Sequence, residues 1–172
     1  MGVYTVDIHV AADVHHTVTL GHGSVVHVGA VIQEGTTLGP DCVVGNGVSI
    51  GRRCQIGRGC VFQTGAAICH DAQIGDYVSI GPHAVLINTR RPNLRDRAQE
   101  VSAPPMLEDD VVLGSHAQIL PGVRVGAGAF VHAASVVYLD VPPGQAVRGN
   151  PARPILFPAS ILAKDPGPCA SV

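Results

Sequence analysis

The chain has 172 residues and a formal net charge of −2, with 11 Lys and Arg against 13 Asp and Glu. That balance gives no electrostatic case for nucleic acid or an anionic membrane surface as a partner, and the length suits one domain. Trp is absent and aromatics make up 3% of the chain, while Gly numbers 21, a composition suited to an interior of repeated small and branched residues. The first twenty residues, MGVYTVDIHVAADVHHTVTL, lack a basic start followed by an apolar run, so no secretion signal is expected. No apolar stretch approaches transmembrane length. The five cysteines have no CxxC spacing, which argues against a disulfide framework or a zinc knuckle. A cytoplasmic location is the default expectation.

From Ile8 onward an aliphatic or Phe residue recurs at every sixth position: Val14, Leu20, Val26, and so on through Phe62 and Ile68 to Leu86. The rhythm resumes at Leu107 and runs through Leu113, Ile119 and Val125 to Val137. Four residues after each of these anchors stands a small or β-branched residue, Cys42, Cys54, Cys60 and Ala66 among them, except after Leu86, where Arg90 falls inside the interruption. A period of six fits neither a helix nor an alternating strand, and it is a known period of β-helices. Gly follows the anchor directly at 21, 39, 45, 51, 57, 75, 81, 114 and 126, where a sharp corner is expected to need positive φ. Three short segments make one coil, so residues eighteen apart should stack at about 4.8 Å. Cys42, Cys54 and Cys60 fall on the small inward position and read as core; Cys69 falls at a corner.

Between Leu86 and Leu107 the rhythm fails for twenty-one residues where six would do. Residues 88–106, NTRRPNLRDRAQEVSAPPM, must leave the scaffold as a loop, and inserted loops commonly carry function. Counting back eighteen from Asn88 gives His70, then Arg52, Glu34 and His16 on the same corner. An imidazole beside the root of a polar loop suits a general base, since its ordinary pKa lies near neutrality; Asp71 stands next to it.

These features together resemble the hexapeptide-repeat, left-handed parallel β-helix family over roughly residues 5 to 153, and the left hand is implied by that resemblance. The expected architecture is all-β: a β-helix domain over 1–153, interrupted by the loop 88–106, with a C-terminal tail at 154–172. The segment Ile68-Cys69-His70-Asp71-Ala72-Gln73-Ile74-Gly75 is similar to the one that carries the base in several β-helix acyltransferases, which implies His70 as general base with Asp71 tuning it. Gly81-Pro82-His83-Ala84-Val85-Leu86-Ile87-Asn88, followed by Arg91-Pro92 and Arg95, resembles the start of the acceptor loop in sugar-nucleotide N-acetyltransferases, and implies a site role for Asn88. The chain departs from that subfamily at Gln63-Thr64-Gly65 and at His70. Arg90, Arg91 and Arg95 suit the oxygens of a nucleotide diphosphate, or simply solvate the loop.

The stretch from Leu113 to Val123 resembles the coil that binds acetyl-CoA in these enzymes, which implies that the cofactor arm lies along Ser115 and, one coil later, Ala133. The finish Gly149-Asn150-Pro151-Ala152-Arg153 matches the family and implies contact between the CoA phosphates and Arg153, with Arg148 a looser candidate. The implied function is transfer of an acyl group from acetyl-CoA to the amine of a nucleotide-linked amino sugar, in a homotrimer whose clefts lie between subunits. The alternatives are O-acetylation of a sugar or antibiotic hydroxyl, a non-catalytic β-helix module, and a γ-carbonic anhydrase-like metal site. For the last, Gly21-His22-Gly23-Ser24-Val25-Val26-His27 has two of three needed ligands and no upstream third, so no metal is expected. His83 and His116 are lesser acid–base candidates, and Tyr77 and Phe130 are candidates for stacking on a base.

Overall fold

A computed structural model describes residues 5–90 and 102–156. The described chain is all strand and turn, wound as a three-sided parallel β-helix. Its faces are a nine-stranded, a seven-stranded and a six-stranded sheet, visited in turn by successive two-residue strands such as Val61–Phe62, Ala67–Ile68 and Gln73–Ile74. Each strand pairs with the one a coil away at a spacing of 18, as Ala67 does with Ser49 and with Val85. Across the insertion the partners are Gln73 and Met106, 33 apart rather than 18, so the loop adds 15 residues to one coil without disturbing the register. Among the described residues no helix is long and apolar enough to cross a membrane.

The core is the set of anchors and small residues expected from the repeat. Phe62, Ile50, Ile80, Leu113 and Ile119 are fully buried, with Ala66, Ala84 and Ala117 between them. At the first coil the anchor Ile8 is 45% exposed, because nothing described stacks beneath it. The polar members of the small column share one solution to burial. Ser24, Thr36, Cys42, Cys54 and Cys60 each donate to the carbonyl fifteen residues on, at 3.1, 2.7, 3.2, 3.1 and 3.1 Å. Ser24 and Thr36 also accept, from the amides of Cys42 and Cys54. The inward cysteines are therefore satisfied donors inside the core, as buried polar groups must be.

One expectation needs correction. At most corners the left-handed residue lies three after the anchor, at Gly23, Gly29, Gly47 and Gly65, but also at Arg53, Asp71, Tyr77 and His83, whose φ values run from 55° to 62°. The glycines directly after the anchor do not have positive φ. They are small because the next coil passes too close: a Cβ at Gly51 would lie 2.6 Å from His70 Nδ1 and 2.7 Å from His70 N, and one at Gly39 would lie 2.7 Å from Arg58 N. Coil-to-coil approach, rather than backbone conformation, excludes side chains there.

The last coil is closed by a hairpin, Ala146–Gly149 against Ala152–Ile155. The second arm runs through Ile155, two residues beyond the expected end of the β-helix domain at 153.

Candidate functional site

His70 and Asp71 form the turn that follows Ala67–Ile68, on the corner between the seven-stranded and six-stranded faces. The stack counted from the sequence is present: the amide of Asp71 bonds Arg52 O, and that of Arg53 bonds Glu34 O. Asn88 sits one coil above, its side-chain amide donating to the His70 carbonyl at 3.5 Å. The loop root is pinned there, with Thr89 Oγ1 donating to Asn88 Oδ1, the Ala103 amide bonding Asn88 O at 2.7 Å, and Thr89 bridged to Ser102. The structure thus brings His70 and Asn88 together.

The imidazole is half-buried. The backbone N–H of Arg52 donates to its Nδ1 at 3.0 Å. Burial, and next the Arg52 guanidinium, push its pKa below the ordinary imidazole value, with Asp71 opposing only in part. Asp71 does not reach the ring in this arrangement. Its carboxylate is held by Arg53 in a two-point pair, Nε to Oδ1 at 2.7 Å and Nη2 to Oδ2 at 2.9 Å. The same spacing of eighteen that placed Arg52 under His70 also places Arg53 under Asp71, so this pair was available from the sequence. Burial pushes the neighbouring Cys69 thiol up to about 12, which keeps it protonated and unreactive.

On the six-stranded face, reaching its far corner with the nine-stranded face, lies a cavity of about 720 Å³ lined by Gln55, Gln73, Met106, Glu108 and Asp109, with no residue of the His70 corner in its wall. Gln55, Gln73 and Met106 are consecutive partners in the ladder. Glu108 is paired with Arg124 and accepts the Ala127 amide, which holds its carboxyl below the usual range, the Ala127 bond first. The sequence reading missed this wall; its signal is the outward residue just before the anchor, followed up the stack. Arg90 turns back over Gly122, where a Cβ would lie 2.8 Å from its Nη2, in a cavity shared with Pro121, Tyr138 and Leu139. Tyr138 is a second residue that the repeat did not flag. Arg91 and Arg95 lie outside the described residues.

Ser115 and Ala133 stack as counted, the Ala134 amide bonding Ser115 O, but on the corner after the nine-stranded face. Within one chain the seven-stranded face separates them from His70. Arg148 and Arg153 face each other across the terminal hairpin as a register pair, both exposed, on that same nine-stranded sheet. His83 and His116 also belong to the Ser115 corner, with rings stacked at 5.2 Å. Of the aromatic candidates, Tyr77 is 55% exposed and its ring covers the position a Gly59 Cβ would take, whereas the Phe130 ring is met by His132 at 4.9 Å. Among the described residues no group of three His, Cys, Asp or Glu could hold a metal ion.

Repeats of this kind, with an inserted loop and small-residue corners, define a family. The chain matches the bacterial transferase hexapeptide (six repeats) over residues 29–64 and 53–88, and the hexapeptide repeat of succinyl-transferase over 106–138. It belongs to the hexapeptide-repeat transferases, and its coils form the left-handed parallel β-helix of that family. Among curated proteins it is similar to the 2,3,4,5-tetrahydropyridine-2,6-dicarboxylate N-acetyltransferase of Staphylococcus aureus, 43% identical over 81 residues, covering 47% of this chain and 31% of that one. The chain thus spans about a third of the length of that relative. Among solved structures it resembles the acetyltransferase domain of PglB from Neisseria gonorrhoeae in complex with acetyl coenzyme A, with TM-score 0.59 and 27% identity over 88% of this chain and 58% of that one. It also resembles PerB from Caulobacter crescentus in complex with CoA and GDP-perosamine, with TM-score 0.52 and 25% identity over 87% and 56%.

Proposed function

We propose that this protein is an acetyl-CoA-dependent N-acetyltransferase whose acceptor is the amine of a nucleotide-linked amino sugar. The observation that carries the proposal is the His70–Asn88 corner at the loop root, and a cavity large enough for a sugar opens on the six-stranded face that this corner leads into. PglB is seen with acetyl coenzyme A and PerB with CoA and GDP-perosamine, an amino-sugar nucleotide, which supports the same donor and acceptor classes here. Acetyl-CoA is placed along Ser115 and Ala133, with Arg153 and Arg148 at its phosphates, since two guanidiniums in cross-strand register suit a phosphate better than one. Arg90, Arg91 and Arg95 are assigned to the nucleotide diphosphate. Because the Ser115 and His70 corners lie on opposite edges of one face, a complete site needs the Ser115 corner of one copy against the His70 corner of another, which supports a homotrimer.

The dicarboxylate acceptor named for the Staphylococcus aureus relative is a competing reading with its own support in sequence identity. Against it, the described wall of the cavity offers two neutral amides and the carboxylates of Glu108 and Asp109. Those groups suit the hydroxyls and amine of a sugar ring better than a pair of carboxylates. The test is a panel of 3- and 4-amino nucleotide sugars and the tetrahydropyridine dicarboxylate, each with acetyl-CoA, followed by release of free thiol. Turnover is expected with an amino sugar and not with the dicarboxylate; the reverse pattern overturns the proposal.

A further inference from the structure

We infer that the backbone carbonyl of His70 selects an amine over a hydroxyl as the acceptor, by holding the N–H that an acceptor nitrogen keeps through the transfer. The inference rests on the acetyltransferase reading above and adds a specificity element to its acceptor side.

The coils are stitched together at their corners by a recurring bond. The amide three after an anchor donates to the carbonyl two after the anchor of the coil below. On the His70 corner, Arg53 N bonds Glu34 O at 2.9 Å and Asp71 N bonds Arg52 O at 2.8 Å. On the other two corners, Tyr77 N bonds Arg58 O at 2.8 Å and His83 N bonds Thr64 O at 3.0 Å. The next bond in the His70 stack would run from Thr89 N to His70 O, and it is not made. The returning end of the loop draws Thr89 away. Thr89 is bridged antiparallel to Ser102, and Ala103 is wedged between two coils, its N on Asn88 O at 2.7 Å and its O under Gly122 N at 2.6 Å. Arg53 and Asp71 lie in the left-handed region, with φ of 55° and 62°, and Thr89 does not.

Among the described residues the His70 carbonyl keeps one partner, the Asn88 side-chain amide at 3.5 Å. That distance is the outer limit of a hydrogen bond. A carbonyl oxygen has two lone pairs, and His70 is half-buried, where a missing donor is costly. The acceptor atom left over by the loop therefore lies at the corner where transfer is placed. The donor that completes it comes from the ligand.

The chemistry separates two kinds of acceptor. A primary amine has two N–H groups. Its lone pair forms the C–N bond at the thioester carbon and one proton passes to the imidazole. The C–S bond breaks with its pair leaving on the CoA sulfur, which recovers that proton. The second N–H stays on nitrogen, first in the amine and then in the product amide, and donates to His70 O throughout. A hydroxyl has a single O–H. Once that proton leaves, its oxygen turns only lone pairs toward the carbonyl, and the ester product has no donor at all. A site built to bond a substrate N–H discriminates against the analogue that lacks it.

The test uses the full chain loaded with CoA. The amino nucleotide sugar that turns over in the acceptor panel is taken in its N-acetyl form and compared with the O-acetyl ester of the same sugar, which differs only by O for N–H. Protein labelled with ¹³C at histidine carbonyls and ¹⁵N at aspartate gives a single coupled pair, because His70-Asp71 is the one His-Asp step in the chain. The N-acetyl form should move that carbonyl signal downfield, as a new hydrogen bond does, and should bind at least about tenfold more tightly than the ester. A signal that stays in place with the N-acetyl form overturns the inference whatever the affinities, and so does equal affinity for amide and ester. In either case turnover of the amino sugar leaves the acetyltransferase reading standing. If no amino sugar turns over, that reading falls and the inference falls with it.

Discussion

Replacing Gly51 by Ala tests the physical core of the site. Gly51 lies under Cys69 and His70, and an added Cβ would sit 2.6 Å from His70 Nδ1, 2.7 Å from His70 N and 2.8 Å from Cys69 C. Two of those three atoms are backbone, so the coil above must lift. Forcing a methyl into a packed interior costs about 1–3 kcal/mol. The same shift breaks the bond from Arg52 N to His70 Nδ1, worth about 1 kcal/mol net. The expected loss is therefore about 2–4 kcal/mol, read as a lower urea midpoint by far-ultraviolet circular dichroism. Acetyl transfer should fall at least about tenfold in protein that is still folded, because a displacement of this size misplaces the ring. The matched control is Gly47→Ala, where φ is +63° and no atom lies within 4 Å of the added Cβ. It meets only the backbone cost of the left-handed region, about 1–2 kcal/mol, and should leave transfer rates unchanged. Should Gly51→Ala prove no less stable than the parent and equally active, close coil approach is not what excludes side chains at this corner.

Three further outcomes are expected. Thr36→Val keeps the shape but strips a buried hydroxyl that donates to Gly51 O at 2.7 Å and accepts from Cys54 N at 3.1 Å; with the Cys54 amide left unpaired and Gly51 O left to the Cys54 thiol at 3.4 Å, urea unfolding should show a loss of about 1–3 kcal/mol. Because the His70 pKa is lowered on folding, its contribution to stability is present above the free-imidazole value near pH 6.5 and is lost as pH falls from there toward the folded pKa. Stability measured from pH 7 to 5 should accordingly fall less steeply in His70→Asn than in the parent, and an equal or steeper fall contradicts the neutral ring. Ala133→Leu puts a bulky side chain on the exposed corner above Ser115; KM for acetyl-CoA should rise about tenfold or more with the amino-sugar KM little changed.

The repeat itself carried most of the fold. In-register parallel stacking makes residues i and i+18 neighbours wherever the hexad holds, so a count along the chain identifies sheet partners, core residues and the corner shared by His70 and Asn88. The same count contains the Arg53–Asp71 pair and the Gln55–Gln73–Met106 wall, although neither stands out as a motif. Periodicity is silent on geometry within a corner. The glycines after the anchors read as conformational devices, yet the left-handed residues lie elsewhere and tolerate Arg53, Asp71 and His83. Distance between coils, which a linear pattern does not contain, decides where only glycine fits.

The sequence alone determined the β-helix, its register and the identity of the residues at the loop root, because each follows from phase in a strict repeat. The tertiary structure alone decided which nitrogen of His70 faces the Arg52 amide, and that Asp71 turns to Arg53 instead of the ring. It also showed that the Ser115 and His70 corners lie on opposite edges of one face. Those outcomes depend on rotamers, hydrogen-bond direction and the closeness of neighbouring coils, each fixed only when the chain has wound back over itself.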